Sequence, residues 1–159
     1  MPADPTDIRA FQRLDGRTTT SGCLRDQDLS ALAALGVRHV VNLALDSHPE
    51  ALANEADKLA ALGIGYTHIP VPFDDPRDEH YQAFAAALAA AEAETAGAPV
   101  HVHCIMNYRV SAFFYRWNRE VAGMDEPAAR ALLVHQWDPL ASERKEARPW
   151  AGFLARTGI

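Results

Sequence analysis

Apolar positions along the chain fall into two rhythms. VRHVVNLAL (Val37–Leu45), GYTHIPV (Gly65–Val71) and PVHVH (Pro99–His103) are short apolar runs rich in β-branched residues, and each reads as a strand. A Thr run in RTTTSGC, turning at Ser21-Gly22, adds a fourth β-prone segment. Between them the spacing lengthens to that of a helix. Leu29, Leu32 and Leu35 predict a helix over 26–35 with Gly36 at its C′ position, and Leu52, Ala56, Leu59 and Leu62 predict one over 49–62 ahead of Gly63. Asp75-Pro76-Arg77-Asp78 reads as a helix start, with Asp75 as N-cap and Pro76 as first helical residue, running to about Ala96. Helices are also predicted from Arg109 to about Val121, from Asp125 to about Trp137, and from Trp150 to Ala155. Strands alternating with helices in this way predict a three-layer α/β fold, with a mostly parallel central sheet covered by helices.

Length then bounds the architecture: 159 residues fit one domain over 1–159 with a substantial core. The apolar fraction of 48% belongs to the ordinary globular class, and no apolar run approaches the ~20 residues a membrane span needs. MPADPTDIRAF has no apolar stretch of the kind a secretory signal carries, so a cytoplasmic protein is expected. Acidic residues (21) outnumber basic ones (15), for a formal charge of −6. That balance argues against nucleic acid and anionic membrane as partners, because both require a basic footprint. Any anion must therefore be bound by a local, preorganised site. The oligomeric state is not readable from the sequence.

Cys23 and Cys104 are too few for a disulfide framework or an all-cysteine zinc site. Cys104 has unusual neighbours. It ends the apolar run in VHVHCIMNYRVSAF, where four residues separate it from Arg109 and the start of a helix. In a parallel α/β sheet, ligands bind beyond the carboxyl ends of the strands, and this loop lies there. Unpaired N–H groups of the loop and first helical turn make an anion cradle. A cysteine at its edge sits where amide dipoles and a guanidinium favour an anionic sulfur. A thiolate, a ring of amides and a planar Arg fork suit attack on a phosphate ester.

With these residues, and with TSG, GVRHVVNL, YTHIPVPF and VHVHC…R following one another in order, the chain resembles the cysteine-based protein tyrosine and dual-specificity phosphatases over roughly Arg13 to Val121. It resembles in particular a bacterial subset with a shortened Cys-x4-Arg loop. The resemblance implies a phosphate monoester hydrolase, with possible tyrosine or dual specificity, that works through a phosphocysteine intermediate without a cofactor. Its partner would be a phosphorylated protein or a small phosphoester. Carried over residue by residue, Cys104 is the nucleophile, His103 orients the loop, Arg109 grips the phosphate, and Ser111 assists thiolate departure. Ile105, Met106, Asn107 and Tyr108 line the cradle. The acid belongs after IPVPF, at Asp74 or Asp75; capping by Asp75 leaves Asp74 as the proton donor.

Two registers fit the loop. In one, Asn107 takes the turn position where the family carries Gly, Ser111 keeps its place, Val110 occupies the usual Arg position, and Arg109 is rotated by ~100°. In the other, the loop is one residue shorter, Arg109 points at the phosphate, and the cradle has one amide fewer. The altered loop gives an alternative function: a catalytically weak or inactive pseudophosphatase that binds oxyanions as a regulatory module. A persulfide on Cys104, carrying sulfur as rhodanese-like loops do, is a third. His101 and His103 share a strand face without a third ligand, so His101 reads as a packed core residue, as do His39 and His68. Arg116 reads as a surface cation or an added charge near the site, and Trp137 and Trp150 as C-terminal packing anchors.

Overall fold

The structure is a computed structural model and describes residues 3–158. Five strands form one sheet: β1 (Gln12–Arg13), β2 (Thr18–Ser21), β3 (His39–Asn42), β4 (Gly65–His68) and β5 (Val100–His103), in the order β1-β2-β5-β3-β4. Only β1 runs antiparallel, to β2; every other pair is parallel. Six helices follow the strands: α1 (Asp26–Ala34), α2 (Glu55–Ala60), α3 (Asp78–Glu94), α4 (Tyr108–Glu120), α5 (Glu126–Val134) and α6 (Arg148–Ala155). The three-layer, mostly parallel α/β architecture is the one the alternation predicts. None of the described helices is long and apolar enough to cross a membrane.

The alternation of side chains along β3 explains the layering. Val40 packs with Leu29, Leu32, Leu59 and Ile64 under α1 and α2. Its neighbour Val41 packs the opposite way, with Val102, Phe84, Phe113 and Trp150 under α3, α4 and α6. Strands β3 and β5 are buried on both faces, with Val40, Val41, Val100 and Val102 in the apolar clusters and His39, Asn42, His101 and His103 as buried polar residues. Cys104, fully buried, belongs to the second cluster.

Several expected boundaries move. Gly36 and Gly63 do end their helices with left-handed backbone. The helix expected over 49–62 is confined to α2, because Asn54 takes a left-handed conformation (φ 56°) that interrupts the earlier turns. Helix α3 begins at Asp78 with Arg77 as N-cap, so Asp75 is not the cap and Pro76 is not helical. Asp75 instead forms a surface ion pair with Arg77 at 2.8 Å, and its N–H closes a turn onto the Pro72 carbonyl. Arg116 is buried on α4, paired with Asp78 (2.9 Å) and Glu120 (3.1 Å), and its guanidinium lies 4.2 Å above the Tyr81 ring. It is a packing cation, away from the cysteine loop. Helix α5 starts as expected, with the Asp125 carboxylate accepting from the Ala128 N–H.

Candidate active site

Strand β5 carries Cys104 to the carboxyl edge of the sheet, between β2 and β3. The loop is held from below. The Cys23 N–H donates to the Ile105 carbonyl at 2.9 Å, and Gly22 lies so close beneath it that a β-carbon there would collide with the Ile105 carbonyl oxygen. That close approach is why the TSG turn needs its glycine. Asn107 adopts φ 65°, ψ 12° and caps α4, as the first register predicts for a residue in the glycine position. Its side chain turns away from the loop's mouth: Nδ2 donates to the Ala10 carbonyl (2.9 Å) and to Thr20 Oγ1 (3.0 Å).

Beginning the helix at Tyr108 places Arg109 in its first turn and Val110 in the core. The Arg109 guanidinium donates to the Val71 carbonyl at 2.9 Å and lies 5.8 Å from the Phe73 ring centre, while still facing the hollow above Cys104. The loop thus has the turn residue of the first register, with Val110 in the core and Arg109 among the residues lining the cavity. Among the described residues, no carbonyl accepts from the N–H groups of Ile105 through Val110, so the cradle's donors are unused.

Above this loop lies a cavity of about 400 Å³. Cys104, Ile105, Met106, Tyr108 and Arg109 form one side; Leu45, Ser47 and His48 of the loop after β3 form another; Phe73 closes the third. A second hollow of about 440 Å³ shares Phe73 and Tyr108 with the first and continues past Trp137, Ser142 and Arg144. The two C-terminal tryptophans anchor these walls, as packing residues with a polar handle. Trp137 Nε1 donates to the Tyr108 carbonyl (2.9 Å) and its ring stacks on Tyr108 at 4.7 Å, and Trp150 Nε1 donates to the Phe73 carbonyl (2.7 Å).

The remaining sequence candidates lie around the cavity. His103 is buried, its Nε2 2.7 Å from Glu55 Oε2 and its Nδ1 3.2 Å from the Cys104 carbonyl. A carbonyl only accepts, so in this contact Nδ1 is the donor, while Nε2 faces the carboxylate. The pair ties the end of β5 to the start of α2. Ser111 donates to the Asn107 carbonyl and, at 3.2 Å, to Asn107 Oδ1; it braces the loop from behind. Asp74 is exposed on the loop next to Phe73, without an ion-pair or hydrogen-bond partner among the described residues, and outside the cavity lining. His101 is fully buried between Thr19 Oγ1 and Ser21 Oγ, each at 2.8 Å, and burial pushes its pKa well below the ordinary value. His39 is likewise buried, with a lowered pKa of the same origin, and bonds Thr67 at 2.8 Å. His68 Nε2 lies 2.6 Å from the Ala44 carbonyl. Both cysteines are free thiols.

Two participants escaped the sequence reading. Glu55 sits 48 residues from His103 in a segment read only as an amphipathic helix. His48 lies between the predicted strand, which ends at Leu45, and the predicted helix, which begins at Pro49, in a connection given no role. A Ser-His-Pro triplet directly after a buried strand was the signal, since Pro49 and the carboxyl edge both argue for a loop there.

The sequence of residues 11–118 matches the family model described as "Beta-lactamase hydrolase-like protein, phosphatase-like domain". No curated protein matches the chain. Among solved structures, a candidate phosphatase from Shewanella putrefaciens is 29% identical, with a TM-score of 0.76 over 96% of this chain and 93% of that one. TpbA of P. aeruginosa, in a variant form complexed with phosphotyrosine, is 20% identical with a TM-score of 0.69 over 92% and 83%. PTPMT1 in complex with PI(5)P is 12% identical with a TM-score of 0.68 over 92% and 96%. At such identities the last two show the fold alone. The family match over two thirds of the chain means that the chain belongs to the phosphatase-like domain family of the beta-lactamase hydrolase-like proteins, and its sheet has the cysteine-based tyrosine-phosphatase-like fold.

Proposed function

We propose that the protein is a cysteine-dependent phosphatase acting on phosphate monoesters. The observation that carries this reading is the juxtaposition of Cys104, Arg109 and a run of unpaired loop amides at one cavity. In the first step Cys104 Sγ attacks phosphorus, the ester P–O bond breaks, and the leaving oxygen takes a proton from Asp74. In the second, water attacks the phosphocysteine, the P–S bond breaks, and the Asp74 carboxylate takes the water's proton. Arg109 and the amides hold the equatorial oxygens through both steps. Asp74 is preferred to Asp75 because Arg77 occupies the Asp75 carboxylate. Its exposed position requires the loop after Phe73 to fold over a bound ester. The cavity's shallow, largely apolar walls and the adjoining hollow suit an aryl phosphate or a phosphorylated side chain on a larger partner.

Turnover of p-nitrophenyl phosphate, abolished in Cys104→Ser and strongly reduced in Asp74→Asn, is the expected result. No turnover between pH 5 and 8 on a broad phosphoester panel refutes the enzyme reading, and phosphate binding without turnover leaves a regulatory, oxyanion-binding module. A second reading is favoured by the lack of any carboxylate in the cavity lining. Sulfur transfer needs no acid: Cys104 attacks the outer sulfur of thiosulfate, an S–S bond forms, and sulfite leaves as an anion. Cyanide-dependent thiocyanate formation from thiosulfate, without phosphoester hydrolysis, would replace the first reading with this one.

A further inference from the structure

We propose that the His48 Nε2–H is an additional hydrogen-bond donor to the bound oxyanion, supplementing the amides of the cysteine loop and Arg109. The proposal rests on the oxyanion site described above. The loop from Cys104 to Arg109 has four intervening residues and lines the cavity with Cys104, Ile105, Met106, Tyr108 and Arg109. Strand β3 is the direct neighbour of β5, so the loop leaving β3 borders the cysteine loop, whereas the loop bearing Asp74 follows β4, one strand farther out. His48 and Ser47 line the cavity from that neighbouring loop, together with Cys104 and Arg109.

The tautomer of His48 is set by its own chain. The Glu50 backbone N–H donates to His48 Nδ1 at 3.0 Å, so Nδ1 accepts and the proton of the neutral ring resides on Nε2. The ring is therefore held with a donor available, and among the described residues Nε2 has no acceptor in the protein. Glu50 is itself fixed by a 2.7 Å ion pair with Arg9, whose Nη1 reaches Met106 of the cysteine loop at 4.0 Å. Arg9 thus bridges the loop after β3 and the cysteine loop at the surface, and the Glu50 N–H is what orients the imidazole. A neutral N–H serves an anion well here: it donates without adding charge, and it needs no protonation at neutral pH.

The test measures inorganic phosphate binding by calorimetry in the Cys104→Ser background, where turnover does not interfere. His48→Phe is expected to weaken binding by roughly 10- to 100-fold, the loss of one hydrogen bond to a charged acceptor. His48→Gln, whose amide nitrogen reaches a similar point, is expected to recover most of it. Phosphate bound equally well by the Phe variant overturns the assignment, as does a Gln variant no better than Phe. Thermal melts check that the Phe variant is folded. In addition, the ¹⁵N spectrum of His48 in the unsubstituted protein should show the Nε2–H tautomer, with Nε2 shifting on phosphate addition; the opposite tautomer also overturns the proposal. If the Cys104→Ser protein with His48 intact binds no phosphate at all, the oxyanion site itself is refuted, and the two failures are told apart.

Discussion

Asn107 offers the sharpest test of how the shortened loop is built, because substitution separates its backbone role from its side-chain role. The residue is fully buried at φ 65°. Its amide makes two donor bonds, to the Ala10 carbonyl and Thr20 Oγ1, and accepts a longer one from Ser111. Asn107→Gly keeps the left-handed turn without strain but deletes these bonds. At about 1 kcal/mol each for the two short ones, plus the extra freedom glycine gives the unfolded chain, the loss is about 2–3 kcal/mol. Asn107→Ala deletes the same bonds and must also hold a β-carbon at positive φ, which costs about 1–2 kcal/mol and is only partly offset by alanine's lower chain entropy. The alanine variant should therefore be less stable than the glycine variant by about 1 kcal/mol, although alanine is the better helix former. For a chain of this size, 1 kcal/mol moves Tm by about 2–4 °C, so glycine should lower Tm by about 5–10 °C and alanine by about 3 °C more. Urea titrations with a common m-value give the free energies directly. If the alanine variant equals or exceeds the glycine variant, the left-handed turn is not what this position supplies. If the glycine variant matches the parent within ~0.5 kcal/mol, the buried bonds to Ala10 and Thr20 carry no stability.

Glu55→Ala should cost about 1–3 kcal/mol by stranding the buried His103 Nε2, read as a falling urea midpoint, with Glu55→Gln losing less because its amide still offers a partner. His101 and His39, held neutral by burial, make the protein acid-labile: their folded pKa values lie below the ordinary 6.5, so the unfolded chain binds more protons as pH falls. Their contribution is complete well above pH 6.5 and is lost as pH falls below it toward the folded values, so Tm should fall on acidification below pH 6.5, and a Tm flat between pH 6.5 and 5 contradicts the assignment. Gly22→Ala should push the Ile105 carbonyl and the Cys23 N–H apart, costing about 1–3 kcal/mol and lowering phosphate affinity together with Tm.

What the sequence disclosed and what it withheld follow from the range over which each signal acts. Val40, Val41, Val100 and Val102 sit in strands buried on both faces, and their β-branched runs alternate with helically spaced segments, so the parallel α/β architecture and the position of Cys104 at a strand's carboxyl edge were legible. The two-residue strand β1 was not, because its pairing with Thr19 and Thr20 is fixed by the neighbour rather than by any pattern within Gln12-Arg13. Helix starts failed where local chemistry had two outlets. Asp75 before Pro76 has the composition of a cap, yet Arg77 two residues on takes its carboxylate, and the chain turns once more before α3 begins. The contacts that hold the candidate site together are long-range: Glu55 with His103, Trp137 with Tyr108, Trp150 with Phe73. No spacing rule encodes them.

The arginine's unusual distance from the cysteine is understood in the same terms. An arginine one residue early would face a different side of an unchanged helix, by ~100°. Here the helix begins at Tyr108, directly after the left-handed Asn107, and Arg109 lies in its first turn. The side of the helix that the longer spacing would present is occupied by Val110, fully buried against the sheet. Arg109 in turn is braced by the Val71 carbonyl and the Phe73 ring, both on the segment after β4. Direction toward the cavity is thus set by three supports, only one of which lies in the loop. Loop length alone does not decide whether the guanidinium reaches a ligand; the capping turn, the buried valine and the carbonyl brace decide it together. Removing the ring while leaving the Val71 carbonyl and the loop intact, by replacing Phe73 with alanine, should weaken phosphate binding with little change in the backbone of residues 104–109.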